Sequence, residues 1–297
     1  LLRPLLECEP IHRRQAGRRL LAVEPRGSLR AGGRRPEGRR VWERYWRGAI
    51  DVPGSHTTGM GEVAREHGVW LAVGVIERDT SHSRGTLYCT LLYFGPDGGL
   101  LGKHRKLKPT AAERLIWGEG DGSTLTVLDT AIGRVGGLIC WENYMPLARQ
   151  AMYGKGVELY LAPTADARDG WQATLRHIAL EGRCYVLGCN QYVRRDHYPD
   201  DLELADELEH WPETLSRGGS AIYGPLGDCL AGPLWDEPGT LLADLDPGEI
   251  VRGRFDFDVT GHYARPDVFR LTVNEAPQPP VEFAAEGPDT PDESEHP

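Results

Sequence analysis

Short apolar runs, each bounded by charges or by glycine and proline, recur along this chain between helix-like stretches, and that rhythm restricts it to layered α/β architectures. Val69 to Ile76 reads as a buried strand. Leu87 to Phe94 is a second strand; it meets the turn Gly95-Pro96-Asp97-Gly98-Gly99 and resumes at Leu100 as a hairpin. Thr124 to Leu128 and the fully apolar Gly136 to Cys140 follow as strands. A helix is predicted over Met145 to Tyr153, with Pro146 in its first turn. Then come a strand over Val157 to Ala162, a helix over Gln172 to Arg183, a strand over Tyr185 to Cys189, and a hairpin that turns at Gly224 to Asp228. Strands alternating with helices, plus hairpins, predict mixed sheets in α/β layers and not one parallel sheet.

The two ends differ from this core. The first 47 residues hold 13 arginines against five acids, with little apolar periodicity beyond Leu20 to Val23. A disordered basic arm is one reading. A truncated or out-of-frame gene start is the preferred one, because the family resemblance set out below begins abruptly near Pro36 to Trp46. Residues 1–41 are therefore expected to be an atypical head, 42–274 the folded domain, and 275–297 a disordered tail, since it has six prolines, seven acids and no basic residue. The acid-rich stretch 200–213 is expected to be an exposed loop or short helix.

A net charge of −10 argues against nucleic acid as a partner, and no apolar run is long enough to span a bilayer. The six cysteines are scattered without a C-x-x-C pair, so neither a metal site nor a disulfide framework is indicated, and reduced thiols in a cytoplasmic protein are expected. No G-x-S-x-G elbow, H-E-x-x-H pair or phosphate-binding glycine loop occurs. His177 and Glu181 have helical spacing and read as structural.

Two segments carry chemistry. Cys140 ends an apolar strand and precedes Trp141-Glu142-Asn143, so its thiol is expected at the lip of a sheet, where nearby backbone N–H groups favour a thiolate and can hold an oxyanion. Position alone leaves it equally readable as a small buried hydrophobe. Lysine occurs only at 103, 106, 108 and 155, so the cluster from Lys103 to Lys108 stands out among arginines. Alternation puts His104, Lys106 and Lys108 on one face of an extended segment. A desolvated lysine there can steady developing negative charge; a solvated basic strand edge is the alternative.

The blocks His104-Arg105-Lys106-Leu107-Lys108-Pro109-Thr110, Glu113 to Gly118, Gly120 to Ser123, Gly137 to Asn143, Ala162-Pro163-Thr164, Arg176 to Ala179 and Gly261 to Phe269 together resemble the nitrilase branch of the carbon–nitrogen hydrolase superfamily. The resemblance covers roughly residues 42 to 274. It implies an α-β-β-α sandwich, with the N-terminal strand and helix missing or garbled, that assembles as a homodimer or larger homo-oligomer. It also implies a Glu-Lys-Cys triad. Cys140 carries over as nucleophile, Lys106 as its cation and Glu113 as a second glutamate that orients the site. The general-base glutamate of the family lies in a Phe-Pro-Glu context that is absent here, and Glu24, followed by Pro25, is the nearest match. Trp141 and Trp171 are candidates for substrate binding. The implied reaction turns a small-molecule nitrile into a carboxylic acid and ammonia without metal or organic cofactor. Amidase or carbamoylase chemistry and a catalytically defective paralogue are the alternatives.

Overall fold

The computed structural model describes residues 5–7, 36–198 and 209–282. Its first strand, β1 (Leu5–Glu7), pairs antiparallel with β13 (Thr240–Leu242). Two larger sheets carry the fold. One has the order β2-β3-β4-β5, built from Ile50–Asp51, Leu71–Arg78, Leu87–Phe94 and Leu100–Arg105, with β2 parallel to β3 and the rest antiparallel. The other comprises β6 (Val127–Thr130), β7 (Gly133–Gly137), β8 (Leu159–Leu161), β9 (Tyr185–Gly188), β10 (Tyr192–Arg194), β11 (Thr214–Tyr223) and β12 (Cys229–Trp235). Its order is β10-β11-β9-β8-β7-β6, with β12 also on β11. Strands β7, β8 and β9 run parallel, and the remaining pairs run antiparallel.

The period-two geometry of β4 explains the layering. Leu91 and Tyr93 point toward the larger sheet, where they meet Ile139, Cys140, Val135 and Leu161. Leu92 and Phe94 point the other way, toward Ala64 of α2 (Ser55–His67). A strand packed on both faces has no polar side to offer, so β4 reads as nearly continuous apolar sequence. The outer face of the larger sheet presents Tyr160, Val186 and Ala221 to α3 (Pro146–Gly154) and α4 (Asp169–Gly182). Helix α4 buries Trp171, Leu175, Ile178, Ala179 and Gly182, the stripe a 3.6-residue period requires. Layers therefore run helix, sheet, sheet, helix. Helix α1 (Pro36–Gly48) joins Val41 and Tyr45 to Leu87, Ile116 and Trp117, and α5 (Pro247–Gly253) adds Ile250 over Leu159 and Leu187. No described helix is long and apolar enough to cross a membrane.

Several expectations need correction. The strand expected over Gly136 to Cys140 stops at Gly137: the Cys140 N–H still reaches the Pro163 carbonyl, in step with Leu138 to Leu161, but Pro163 has no N–H to give back to the Leu138 carbonyl, which the Asn143 amide takes instead. β3 is alternately half-buried, not fully buried, since one face lies toward solvent. Thr124 stands in a tight turn (Gly122–Thr124) and not in a strand; its carbonyl faces the His104 ring and its hydroxyl accepts from the Arg105 N–H. Alternation along the basic cluster also ends at Arg105: His104 and Lys106 are buried, whereas Lys108 is exposed and pairs with Glu119. The boundary expected at residue 42 falls inside α1. Described residues of the proline-rich end touch the body, where the Gln278 N–H donates to Asp121 at 2.7 Å and Lys155 pairs with Glu275. Residues 199–208 and 283–297, with most of the acid-rich stretch and of the expected disordered tail, lie outside the described residues.

The approach of β7 to β8 yields a stability test. A Cβ on Gly137 would stand 2.0 Å from the Leu161 carbonyl oxygen, a backbone atom that also accepts the Leu138 N–H. Gly137→Ala must therefore push two paired strands apart. It should lower stability by at least about 2 kcal/mol, read from urea unfolding, because overpacking against backbone has no rotamer escape.

Candidate active site

Cys140 lies where the parallel strands β7, β8 and β9 end, the side of an open sheet on which clefts form. Its φ of 56° is left-handed, which costs energy for a residue with a Cβ. Fixed partners hold it there. Its N–H donates to the Pro163 carbonyl at 2.7 Å. The buried Asn143 amide donates to the carbonyls of Cys140 and Leu138 at 2.8 and 2.9 Å, and accepts from the Tyr160 hydroxyl at 2.8 Å. The Thr164 hydroxyl lies 3.2 Å from Cys140 Sγ and donates to it. The backbone thus turns at the sulfur and stays turned.

Lys106 follows β5 and is buried, with 1% exposure. Its Nζ pairs with Glu113 Oε2 at 2.7 Å, donates to Thr110 Oγ1 at 3.2 Å and lies 5.8 Å from the centre of the Trp117 ring. Burial pushes the ammonium toward neutrality, yet the negative forms of Cys140, Cys89 and Glu113 more than offset this, so its pKa rises and it stays charged. The same Glu113 oxygen accepts the Thr110 N–H at 2.6 Å, which closes the short turn Ala111–Leu115 over the lysine. β5 is itself anchored, since the buried Glu77 of β3 takes Lys103 and Arg105 together. Burial pushes the thiols of Cys89 and Cys184 up to about 12.

Between Cys140 and Lys106 stands a buried carboxylate. Glu142 accepts the Leu107 N–H at 2.6 Å and the Ile139 N–H at 2.7 Å, and both its oxygens lie within 3.2 Å of His104 Nε2. On its other side, His104 Nδ1 is 2.9 Å from the Thr124 carbonyl. Burial lowers the pKa of this ring, but the Glu142 charge and the two hydrogen bonds outweigh it, so the net shift is upward.

Trp141 is 41% exposed at the rim. Its indole N–H donates to Asp166 at 2.9 Å, and the Arg168 guanidinium, gripped by the same Asp166, lies 5.0 Å from the ring centre. Trp171, on the first turn of α4, is buried in the core and meets Tyr144, which stands edge-on to both tryptophans. The structure thus gathers Cys140, Lys106, Glu113 and Trp141 and sets Trp171 one layer deeper. Glu24 lies outside the described residues. Among the described residues no cluster of three or more histidines, cysteines and carboxylates could hold a metal ion.

The family model for carbon–nitrogen hydrolase matches residues 33–255. The chain belongs to the carbon–nitrogen hydrolase family. Relatives within it are nitrilases by name. The aliphatic nitrilase of Sinorhizobium fredii is 55% identical over 86% of this chain and 82% of its own length. Nitrilase 3 of Arabidopsis thaliana is 49% identical over 91% and 79%. Two solved structures share the fold at about a fifth identity. A carbon–nitrogen hydrolase from Helicobacter pylori has a TM-score of 0.63, covering 81% of this chain and 80% of its own. The C. elegans NitFhit protein has a TM-score of 0.67, covering 95% and 70%.

Sequence reasoning assigned no role in this carbon–nitrogen hydrolase to Glu142, His104, Thr164 or Asp166. A signal existed for Glu142, because an acid placed directly after an apolar strand must find buried donors. Thr164 stood only within the Ala162-Pro163-Thr164 block, and nothing local tied Thr164 to Cys140 or Asp166 to Trp141, since those partners are more than 20 residues away. The His104 shift fixes a pH dependence. A pKa above the ordinary 6.5 in the folded chain means that the stability His104 contributes is complete below about pH 6.5 and is lost as pH rises through the folded value. Urea unfolding should therefore show the gap between the wild type and His104→Gln widest near pH 6 and shrinking at alkaline pH.

Proposed function

We propose that this chain hydrolyses a small nitrile to a carboxylic acid and ammonia, with Cys140 as nucleophile. The observation that carries this reading is that one buried carboxylate, Glu142, accepts the N–H of Leu107 beside the buried Lys106 and the N–H of Ile139 beside Cys140, which draws lysine and thiol to one place. The nitrilase names of relatives about half identical over most of the chain support the substrate class.

A carboxylate, assigned to Glu24, removes the Cys140 proton, and the thiolate attacks the nitrile carbon. One π bond of the nitrile breaks, and the proton passes to its nitrogen, giving a thioimidate. Lys106 and the Trp141 N–H stabilise the charge that develops on that nitrogen, and later on oxygen. Water adds to the thioimidate carbon, and the C–N bond breaks to release ammonia and leave a thioester. A second water cleaves the thioester to the acid and returns the thiol. Glu113 keeps Lys106 aimed, and Trp141 lines the entrance. The left-handed backbone at Cys140 supports the assignment, because strain of this kind persists where a side chain must be presented out of register with its strand.

We further assign the chain to the cytoplasm as a homodimer or larger homo-oligomer. Thiols outside any disulfide at Cys89, Cys140, Cys184 and Cys229 support a reducing compartment. Exposed Leu147, Val251, Phe255 and Phe269 support burial against a second copy.

Ammonia release from butyronitrile and benzonitrile, with butyramide and benzamide in parallel, tests the reaction and separates nitrile from amide specificity. Cys140→Ala should lose about 10³-fold or more, and Lys106→Ala about 10²-fold or more, with both proteins still folded. A Cys140→Ala protein that keeps most of its activity contradicts the scheme.

A further inference from the structure

Glu142 takes no part in the chemistry above, yet it is buried and accepts from three donors. Two of them are backbone groups next to the reacting side chains. Leu107 follows Lys106, two residues beyond the end of β5 in the smaller sheet. Ile139 precedes Cys140, two residues beyond the end of β7 in the larger one. The carboxylate takes one N–H on each oxygen, Leu107 on Oε1 at 2.6 Å and Ile139 on Oε2 at 2.7 Å. Among the described residues no backbone ladder joins the two sheets, since β5 and β7 belong to separate hydrogen-bonded sets. Between Lys106 and Cys140, this single side chain supplies the direct link across the gap.

His104 makes that link tolerable inside the protein. Its Nδ1 faces a carbonyl, which can only accept, so Nδ1 carries a proton. Its Nε2 faces the carboxylate at 3.1 Å. The proton shared there leaves ring and carboxylate neutral as a pair, whichever atom holds it. A buried unpaired carboxylate would be costly and would also compete with Cys140 for the Lys106 charge. The pair therefore clamps the backbone without adding net charge beside the reacting groups.

We propose that Glu142, neutralised by His104, is the positioning residue that sets the separation between the Cys140 thiol and the Lys106 ammonium. This rests on the roles given to Cys140 and Lys106 above. Only a carboxylate has the required geometry, two accepting oxygens on one carbon, each facing an N–H from a different sheet. A glutamine has one accepting oxygen and turns an NH₂ group against the other N–H. One of the two backbones must then move, and displacement of about 1 Å at reacting groups costs on the order of 10²-fold in rate.

The test compares wild type, Glu142→Gln, Glu142→Asp and Cys140→Ala with butyronitrile and benzonitrile, measuring kcat and KM separately, with circular dichroism and thermal melting as controls. Glu142→Gln should lower kcat by about 10²-fold while KM moves less than about threefold, because binding at the rim does not depend on the Cys140–Lys106 separation. Glu142→Asp keeps both oxygens on a shorter arm and should restore part of kcat. His104→Gln placed on Glu142→Gln should cost little more, since its charge partner is already gone. A folded Glu142→Gln with kcat within about twofold of wild type overturns the proposal, as does one in which kcat stays and KM alone rises. If Glu142→Gln does not fold, Glu142→Asp decides: lowered kcat at unchanged KM supports the proposal, and wild-type kcat overturns it. Inactive Cys140→Ala beside a fully active Glu142→Gln refutes positioning alone, whereas active Cys140→Ala refutes the nucleophile assignment.

Discussion

The hydrogen bond from the Cys140 N–H to the Pro163 carbonyl, at 2.7 Å, is the last tie of one strand to its neighbour and the anchor of a site. A strand that ran on through Cys140 would keep its side chain in the two-residue alternation of β7. Instead the residue turns left-handed, and the side chains of Asn143 and Thr164 fasten the carbonyl and the sulfur. Each partner is held in turn. Asn143 is held by Tyr160 of β8, and Thr164 by the Cys189 carbonyl at the end of β9. The strain at one residue is therefore spread over the ends of three parallel strands, the arrangement by which a fold can sustain an unfavourable backbone angle.

The two-sheet architecture then supplies what a single sheet cannot. Cys140 comes from the larger sheet and Lys106 from the smaller, and the buried cation has an ion-pair partner in Glu113 at 2.7 Å. Glu113 reaches it from a short turn that its own carboxylate closes. Glu77 anchors the strand that delivers it. Each buried charge near the site has a partner, so desolvation is offset locally.

Much of the layering was legible in sequence. The both-faces apolar run at Leu87 to Phe94 and the helical stripe from Trp171 to Gly182 are period signals, and periods survive folding. The hairpin at Gly95 to Gly99 was legible for the same local reason, and the Gly98 N–H does close on the Gly95 carbonyl. What sequence could not show is where strands stop. β7 ends early because its neighbour at that point, Pro163, lies 23 residues downstream of Cys140 and has no N–H to donate, and Thr124 leaves its strand because His104 and Arg105 claim its oxygens. The site divides along the same line. Cys140, Lys106 and Glu113 stood out by residue type in a matching order, while the Glu142–His104 pair needs two sheets to be brought face to face.

The central claim is that the sulfur of Cys140 becomes covalently bonded to the nitrile carbon. Acid quenching of the protein during turnover of benzonitrile, followed by intact and peptide mass spectrometry, reads that bond directly. A thioimidate or thioester adduct on the peptide that carries Cys140, absent from Cys140→Ala, is the predicted result. Turnover with no adduct on that peptide, or with one at Cys89 or Cys229 instead, would contradict the account.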